Sequence, residues 1–432
     1  MSDRPRLLIL DAPGGPRPAQ YLPSLLGEFD VHVVWLAVEP ADKRQARQAA
    51  VRAALSAVAV SEPAELAEIA GRVADDLDVH GVLGMSERTV HVAQRLAGRR
   101  GLPANSADVI DALQNKLIQR ERSHAAGVPG PAFRVLRTED ECRVAAREFG
   151  FPAVLKPMVG MGSLATFLVT CPDELEALWH RARELVDTDR RTAHLTPPLL
   201  LEEELRSRPA PQAHAIELGD YLSVDTLTVA GRSHVLAVSD KLPLSPPFRE
   251  NGHLLPTVRI GRELREVVDC ALAAQRGLGV TFGVCHTEVK LTPDGPRVVE
   301  VNGRPGGSVP ELLRLIADYD LALQLARLTC GLPVDTELRV RRHGACLTPQ
   351  PPTGRHLVVR APSAETVHQV PGVVTIYNLA RSGGLVDSDV GSASNLFRLT
   401  AVAKSRGDLI KLRDRLLAPD FFRLTPADHR SA

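Results

Sequence analysis

The segment GVCHTEVKLTPDGPRVVEVNGRPGG, residues 283–307, constrains the fold more than any other part of the chain. Two runs of alternating character flank Pro293, Asp294 and Gly295, so the spacing predicts a hairpin with a three-residue loop centred on Asp294. Paired positions then set Glu288 opposite Glu300 and His286 opposite Asn302. Side chains in a strand alternate between faces, so His286, Glu288 and Lys290 share a face with Val298, Glu300 and Asn302. Two carboxylates across a ladder lie about 4.5–5.5 Å apart at Cβ and repel unless a cation compensates. The oxygen set Glu288, Glu300 and Asn302 suits Mg²⁺ or Mn²⁺, whose remaining sites take water and phosphate oxygens. A nucleoside triphosphate is the companion this implies. The alternative is that one glutamate is solvated or paired with Lys290 or Arg304. Imidazole is unusual around Mg²⁺, which puts His286 behind the ligands, and Cys285 faces the core.

Two weaker signals lie upstream. In KPMVGMGS (156–163), Lys156 at a strand end and a loop containing Gly162 and Ser163 offer a cation and backbone N–H groups to phosphate oxygens. It is not a Walker A motif, because no G-K-[ST] is present. In LLLEEEL (199–205), an apolar strand runs into Glu202, Glu203, Glu204 and Leu205, an edge that suits a purine and its ribose.

The rest of the chain arranges itself around these segments. Its 432 residues suffice for two to four domains. RLLIL (6–10), VHVVWL (31–36) and GVLG (81–84), separated by helical patterns, read as a small parallel sheet. After GLPANS (101–106), Ser106 or Asp108 caps a helix containing Asn115 and Lys116, which stops at AGVPGP (126–131). From Phe133, strands at 151–157, 198–205, 221–231 and 234–240 indicate an antiparallel α+β region. The proline-rich stretches 206–219 and 242–256 read as long loops. Residues 340–432 carry short strands and one helix around 407–417.

Fifty-two basic and 52 acidic residues cancel, so no global field draws the chain to nucleic acid or to an anionic membrane. The apolar run at 7–10 is too short for a signal-peptide core, and Ala53–Val60 falls far below the roughly 20 residues that span a bilayer; a cytoplasmic location is expected. Six cysteines without a C-x-x-C pair read as buried, reduced residues rather than a zinc site.

In their order and joint occurrence, these elements resemble the ATP-grasp superfamily of ligases over residues 80–335. The resemblance implies a mixed α/β and α+β fold: an N-terminal parallel-sheet domain at 1–112, a small lobe with the lysines and phosphate loop at 113–205, a large lobe with the metal and substrate site at 206–335, and a C-terminal α+β extension at 336–432. ATP lies between the two antiparallel lobes. By this resemblance Lys116 and Lys156 contact phosphates, residues 160–163 fold over them, and Glu202 to Leu205 form the adenine and ribose hinge. Glu288, Glu300 and Asn302 hold a pair of Mg²⁺ (or Mn²⁺) ions, and Arg304 stabilises the transferred phosphoryl group. GDYLS (219–223) lacks the glutamate often used for ribose, for which Asp220 or Glu204 substitutes.

Within the superfamily the chain is similar to the L-amino-acid ligases of bacilysin type, through C-H-T-E-V-K-L (285–291), Y-L-S-V-D (221–225), S-D-K (239–241) and F-R-E-N-G-H-L-L-P (248–256). This implies a substrate or acyl-phosphate contact for His253, a substrate amino-group contact for Glu87, and a substrate pocket at Gly307 and Ser308. Bacilysin-type enzymes carry a bulky aromatic at the Ser308 position, so serine implies a roomier pocket. The implied reaction uses ATP to activate an amino-acid or related carboxylate as an acyl phosphate, which an amine then attacks to give an amide or dipeptide; dimers are common in the resembled family. The rival readings are a carboxylase or carbamoyl-phosphate type of enzyme using bicarbonate, for which no biotinylation motif is present, and an inactive nucleotide-binding regulator.

Overall fold

Parallel strands need crossover connections, and the alternation of strands and helices at the N-terminus supplies them. The computed structural model describes residues 3–160, 162–188, 198–208 and 218–427. Met161 of the phosphate loop and residues 209–217 of the first proline-rich stretch lie outside the described residues. The parallel sheet has the order Ser56–Val60, Asp30–Leu36, Arg6–Asp11, Gly81–Gly84. Ser56–Val60 is a strand beyond the three expected. Its sequence SAVAV lies at the sheet edge with only Val60 buried, so it lacks the continuous bulky apolar run of an interior parallel strand.

Leu7, Ile9, Val31 and Val33 of this sheet share one core with Leu312, Leu313, Ile316 and Leu325, which lie on helices Val309–Ala317 and Leu321–Thr329. At about 1.5–3 kcal/mol for each fully buried large aliphatic side chain, this contact joins the N-terminal sheet firmly to the segment just after the Glu288–Glu300 hairpin.

The expected single helix around Asn115 is two helices, Ala107–Gln114 and Lys116–Ala125. Asn115 is extended between them, and its side chain accepts the Leu117 N–H at 2.9 Å, capping the second helix. Such a cap is worth about 1 kcal/mol. It also sets Lys116 in the first turn and Arg120 four residues later, on one helix face.

The small antiparallel sheet has the order Phe133–Leu136, Leu199–Glu203, Ala153–Pro157, Phe167–Val169. A larger antiparallel sheet of eight strands runs Gly295–Asn302, Gly283–Thr292, Tyr221–Val229, Arg232–Lys241, Gly252–Leu255, His343–Leu347, Phe397–Ala403, Val373–Leu379. One face of its first strands packs on helix Gly261–Leu278, where Val267, Ala271 and Ala274 meet Cys285, Val289 and Val298. Residues 242–256 are not wholly a loop: Gly252–Leu255 is an interior strand. Gly252 has φ 129° and sits so close to the Cys346 carbonyl that no side chain fits. Three short strands, at 355–360, 385–387 and 423–426, form a further sheet, and helices Ala364–His368 and Arg406–Leu416 complete the C-terminal segment. Among the described residues, no helix is long and apolar enough to cross a membrane.

Candidate active site

The hairpin places Glu288 opposite Glu300 and His286 opposite Asn302, as the spacing predicts. Its turn differs. The loop is the two residues Pro293 and Asp294, with Thr292 paired to Gly295, and the register recovers through a bulge at Val299. Val298 therefore faces the helix side with Val289 rather than sharing a face with Glu300. A bulge adds one residue to one strand, so two errors of one residue, in turn length and in strand length, cancel at the two glutamates.

Lys116 and Lys241, rather than Lys290 or Arg304, form the ion pairs with the facing carboxylates. Lys116 Nζ lies 2.9 Å from Glu300, and Lys241 Nζ lies 3.6 Å from Glu288 and 2.7 Å from Glu250. Lys290 pairs with Asp220 at 2.6 Å, and Arg304 with Glu87 at 2.9 Å. Asp220 is thus engaged, while Glu204 lines the cleft. Asn302 Oδ1 receives only a 3.4 Å bond from Arg304. His286 lies behind the carboxylates: its Nδ1 meets Asp225 Oδ1 at 2.9 Å and its Nε2 lies 3.7 Å from Glu288. Burial alone would lower the imidazole pKa, but Asp225 outweighs it and pushes it up to about 9. The resulting imidazolium, with Lys241, holds the Glu288 carboxyl well below the usual carboxylate range against the opposing effect of burial. Two carboxylates and an amide oxygen are a hard donor set that fits Mg²⁺. Among the described residues, three His, Cys, Asp or Glu ligand atoms converge only at the Glu139, Glu176 and His180 cluster; the hairpin itself contributes two carboxylates and the Asn302 amide to the cleft lining.

Across the cleft, Glu202 turns inward instead of toward a sugar. Its carboxylate accepts from Arg120 Nε at 2.7 Å and from Lys156 Nζ at 2.7 Å. Burial favours the neutral acid there, yet Arg120 and Lys156 bring the Glu202 pKa down to about 2. Glu203 is exposed on Arg297 at 3.2 Å. The cleft wall near Glu204 and Leu205 includes Val154 and Leu244, an apolar slot beside a polar rim. In the phosphate loop Ser163 has φ 57° and donates to the Phe248 carbonyl at 2.8 Å, while Gly162 O accepts from Ser392 N–H at 3.0 Å. The loop thus rests on two segments of the large lobe.

His253 lines up with Lys241 across neighbouring strands. It is buried, its Nε2 has no hydrogen-bond partner, and burial followed by the Lys241 charge takes its pKa down to about 3, so it is neutral near pH 7. Over Gly307 and Ser308 lies the Arg398 guanidinium, with Nη2 donating to Ser308 Oγ at 3.0 Å. Arg120, Lys241, Glu250 and Arg398 were not singled out from sequence as site residues. The i+4 spacing from Lys116 marks Arg120 in retrospect, while Lys241 sits in the quoted S-D-K and Glu250 in the loop around His253; nothing local marks Arg398.

The folded chain can be set beside known proteins. No family model matches it. It is 26% identical over 343 residues to an uncharacterized protein, y4rH, of Sinorhizobium fredii, covering 78% of this chain and 66% of that protein. It is 24% identical over 271 residues to an alanine–anticapsin ligase of Bacillus subtilis, covering 62% of this chain and 57% of the ligase. The chain thus spans between half and two thirds of the length of these curated relatives. In three dimensions it superimposes on an L-amino acid ligase from Bacillus licheniformis with a TM-score of 0.79 at 18% identity, over 99% of this chain and 100% of the other.

Proposed function

We propose that this chain, which has the ATP-grasp fold and is related to carboxylate–amine ligases, activates an amino-acid or related carboxylate with ATP and joins it to an amine. The observation that carries the reading is the pair Glu288 and Glu300, facing each other beside Asn302 in a cleft that Lys116, Lys156 and Arg304 also line, with Lys241 3.6 Å from Glu288. Phosphoryl transfer is largely positioning and electrostatics, and such a cleft supplies fixed charge of both signs. Glu288, Glu300 and Asn302 would hold Mg²⁺, which would supply positive charge to the phosphates when bound.

The chain's own groups do the rest. Lys116 and Lys156 exchange Glu300 and Glu202 for phosphate oxygens, the backbone at Gly162 and Ser163 covers them, and Val154, Leu205 and Leu244 receive the base. Glu204 takes the ribose. Arg304, held by Glu87, faces the oxygens of the transferring phosphoryl group; Glu87 keeps a carboxylate available to a substrate ammonium. The substrate carboxylate oxygen attacks the γ-phosphorus, releasing ADP and leaving an acyl phosphate. A neutral amine then attacks the acyl carbon, expelling phosphate and losing a proton. Neutral His253 accepts or donates a hydrogen bond at this centre without adding charge. Gly162 and Ser163, resting on Ser392 and Phe248, help exclude the water that would hydrolyse the acyl phosphate. In this reading residues 1–112, 113–205, 206–335 and 336–432 are the N-terminal domain, the two lobes and the extension.

The test is a matrix of amino-acid pairs with MgATP, scored by phosphate release and by mass of the product. An amide product with equal ADP and phosphate supports the reading; no turnover with any carboxylate and amine overturns it.

A further inference from the structure

Part of the cleft wall comes from far down the chain. Among the described residues, Ser392, in the short helical segment Ser388–Ser394, is the one lining residue beyond Arg304. Its N–H, hydroxyl and carbonyl are each engaged. The N–H donates to the Gly162 carbonyl of the phosphate loop at 3.0 Å, and the hydroxyl accepts the Glu250 N–H at 3.1 Å. The carbonyl accepts from Asn395 Nδ2 at 3.0 Å and from Gln350 Nε2 at 3.3 Å. One serine thus joins the small lobe, the 248–256 segment of the large lobe and the C-terminal extension.

The neighbouring contacts hold both sides of this joint. On the small-lobe side, Asp389 pairs with Arg181 of helix Leu175–Thr188, and Ser163 donates to the Phe248 carbonyl at 2.8 Å. On the large-lobe side, the Glu250 carbonyl accepts from Thr348 Oγ1 at 2.9 Å and from Gln350 Nε2 at 2.8 Å. Arg249, fully buried, donates to the carbonyls of Pro246 and Pro351 at 2.8 and 2.9 Å. The contacts continue past Glu250. Its carboxylate lies 2.7 Å from Lys241 Nζ, and Lys241 is the cross-strand neighbour of His253 and lies 3.6 Å from Glu288. The path Gly162, Ser392, Glu250, Lys241 therefore runs from the cover of the phosphates to the reacting centre through hydrogen bonds and an ion pair alone. A contiguous network of this kind is a physical route for coupling between two sites.

Resting on the ligase reading, we infer that Ser392 is a positioning residue that couples the two halves of the site: nucleotide held under Gly162 and Ser163 fixes Glu250 through Ser392, and so strengthens binding of the carboxylate substrate. The coupling is reciprocal, so the carboxylate strengthens nucleotide binding by the same factor.

The experiment uses Mg²⁺ with the β,γ-imido analogue of ATP and follows backbone hydrogen exchange in the full chain. In the native protein the analogue should slow exchange at 162–166 and, by about fivefold, at 248–253, the factor that one hydrogen bond of ordinary strength supplies. Ser392→Ala keeps the N–H bond to Gly162 and loses the hydroxyl. It should retain the slowing at 162–166 and bring that at 248–253 within about twofold, and Ser392→Thr should restore it. Exchange in the strands at 6–11 and 30–36 should be the same in all three proteins, which reports an intact fold. A carboxylate donor is then found by supplying single amino acids with MgATP and hydroxylamine and detecting hydroxamate. Calorimetric titration of that donor, with and without the analogue, should show the analogue's strengthening in the native protein and its loss in Ser392→Ala. Equal slowing at 248–253 in the native protein and Ser392→Ala, slowing confined to 162–166 in the native protein, or donor binding strengthened equally in both proteins overturns the inference and leaves the ligase reading intact. Absence of any slowing in the native protein, or of hydroxamate with every carboxylate, overturns the ligase reading itself.

Discussion

Glu202→Gln removes the one anion that Arg120 and Lys156 share. All three side chains are buried, with Glu202 5% and Arg120 4% exposed. The Glu202 pKa is about 2 in the folded chain against 4.5 for the free side chain, a difference of about 2.5 units. At about 1.36 kcal/mol per unit, the carboxylate contributes on the order of 3 kcal/mol. Breaking a buried ion pair by removing one partner costs about 3–5 kcal/mol, in agreement. At about 2–4 °C per kcal/mol, thermal unfolding should fall by about 6–12 °C. The sign in pH follows from the depressed carboxylate. Its contribution is complete above about pH 4.5 and is lost as pH falls through about 2, so the gap between native protein and variant should be constant from pH 7 to 5 and narrow below 4.5. MgATP should raise the transition of the variant more than that of the native protein, because phosphate oxygens replace the missing anion. Calorimetry across pH, with and without MgATP, reads all three effects. A fall under about 2 °C, or a gap unchanged at pH 3, would refute the reasoning.

Glu300→Gln should lower turnover by at least about 10²-fold while the protein stays folded, since Lys116 keeps its bond to the Gly160 carbonyl; retained phosphate release would contradict the metal role. Gly391, at φ 72°, leaves no space for a Cβ, which would stand 2.5 Å from Gly162 O, so Gly391→Ala should push the phosphate loop off the large lobe. A rise of about tenfold in apparent KM for ATP is expected, about 1.4 kcal/mol, and unchanged steady-state kinetics would count against loop docking.

The hairpin was legible because a strand's period of two leaves few ways to place Glu288 and Glu300, and its bulge happened to offset the misjudged turn. The parallel sheet was legible through bulky runs such as VHVVWL, whereas SAVAV at the edge has too little buried surface to announce itself. Asn115 was read inside a helix because a capping side chain looks the same in sequence as an exposed helical one. The partners of the site residues were harder. Lys116, Lys156 and Lys241 meet their carboxylates only through contacts between distant segments, and periodicity does not encode those. Arg398 is the extreme case, because it reaches Ser308 from a strand 90 positions later.

The most direct test of the central claim is to follow oxygen. With the carboxylate donor labelled in both oxygens with ¹⁸O, and with MgATP and an amine, activation as an acyl phosphate carries one labelled oxygen into each phosphate released, alongside unlabelled ADP. Mass analysis of that phosphate should find a single ¹⁸O. Unlabelled phosphate, or label appearing in AMP, would contradict the account.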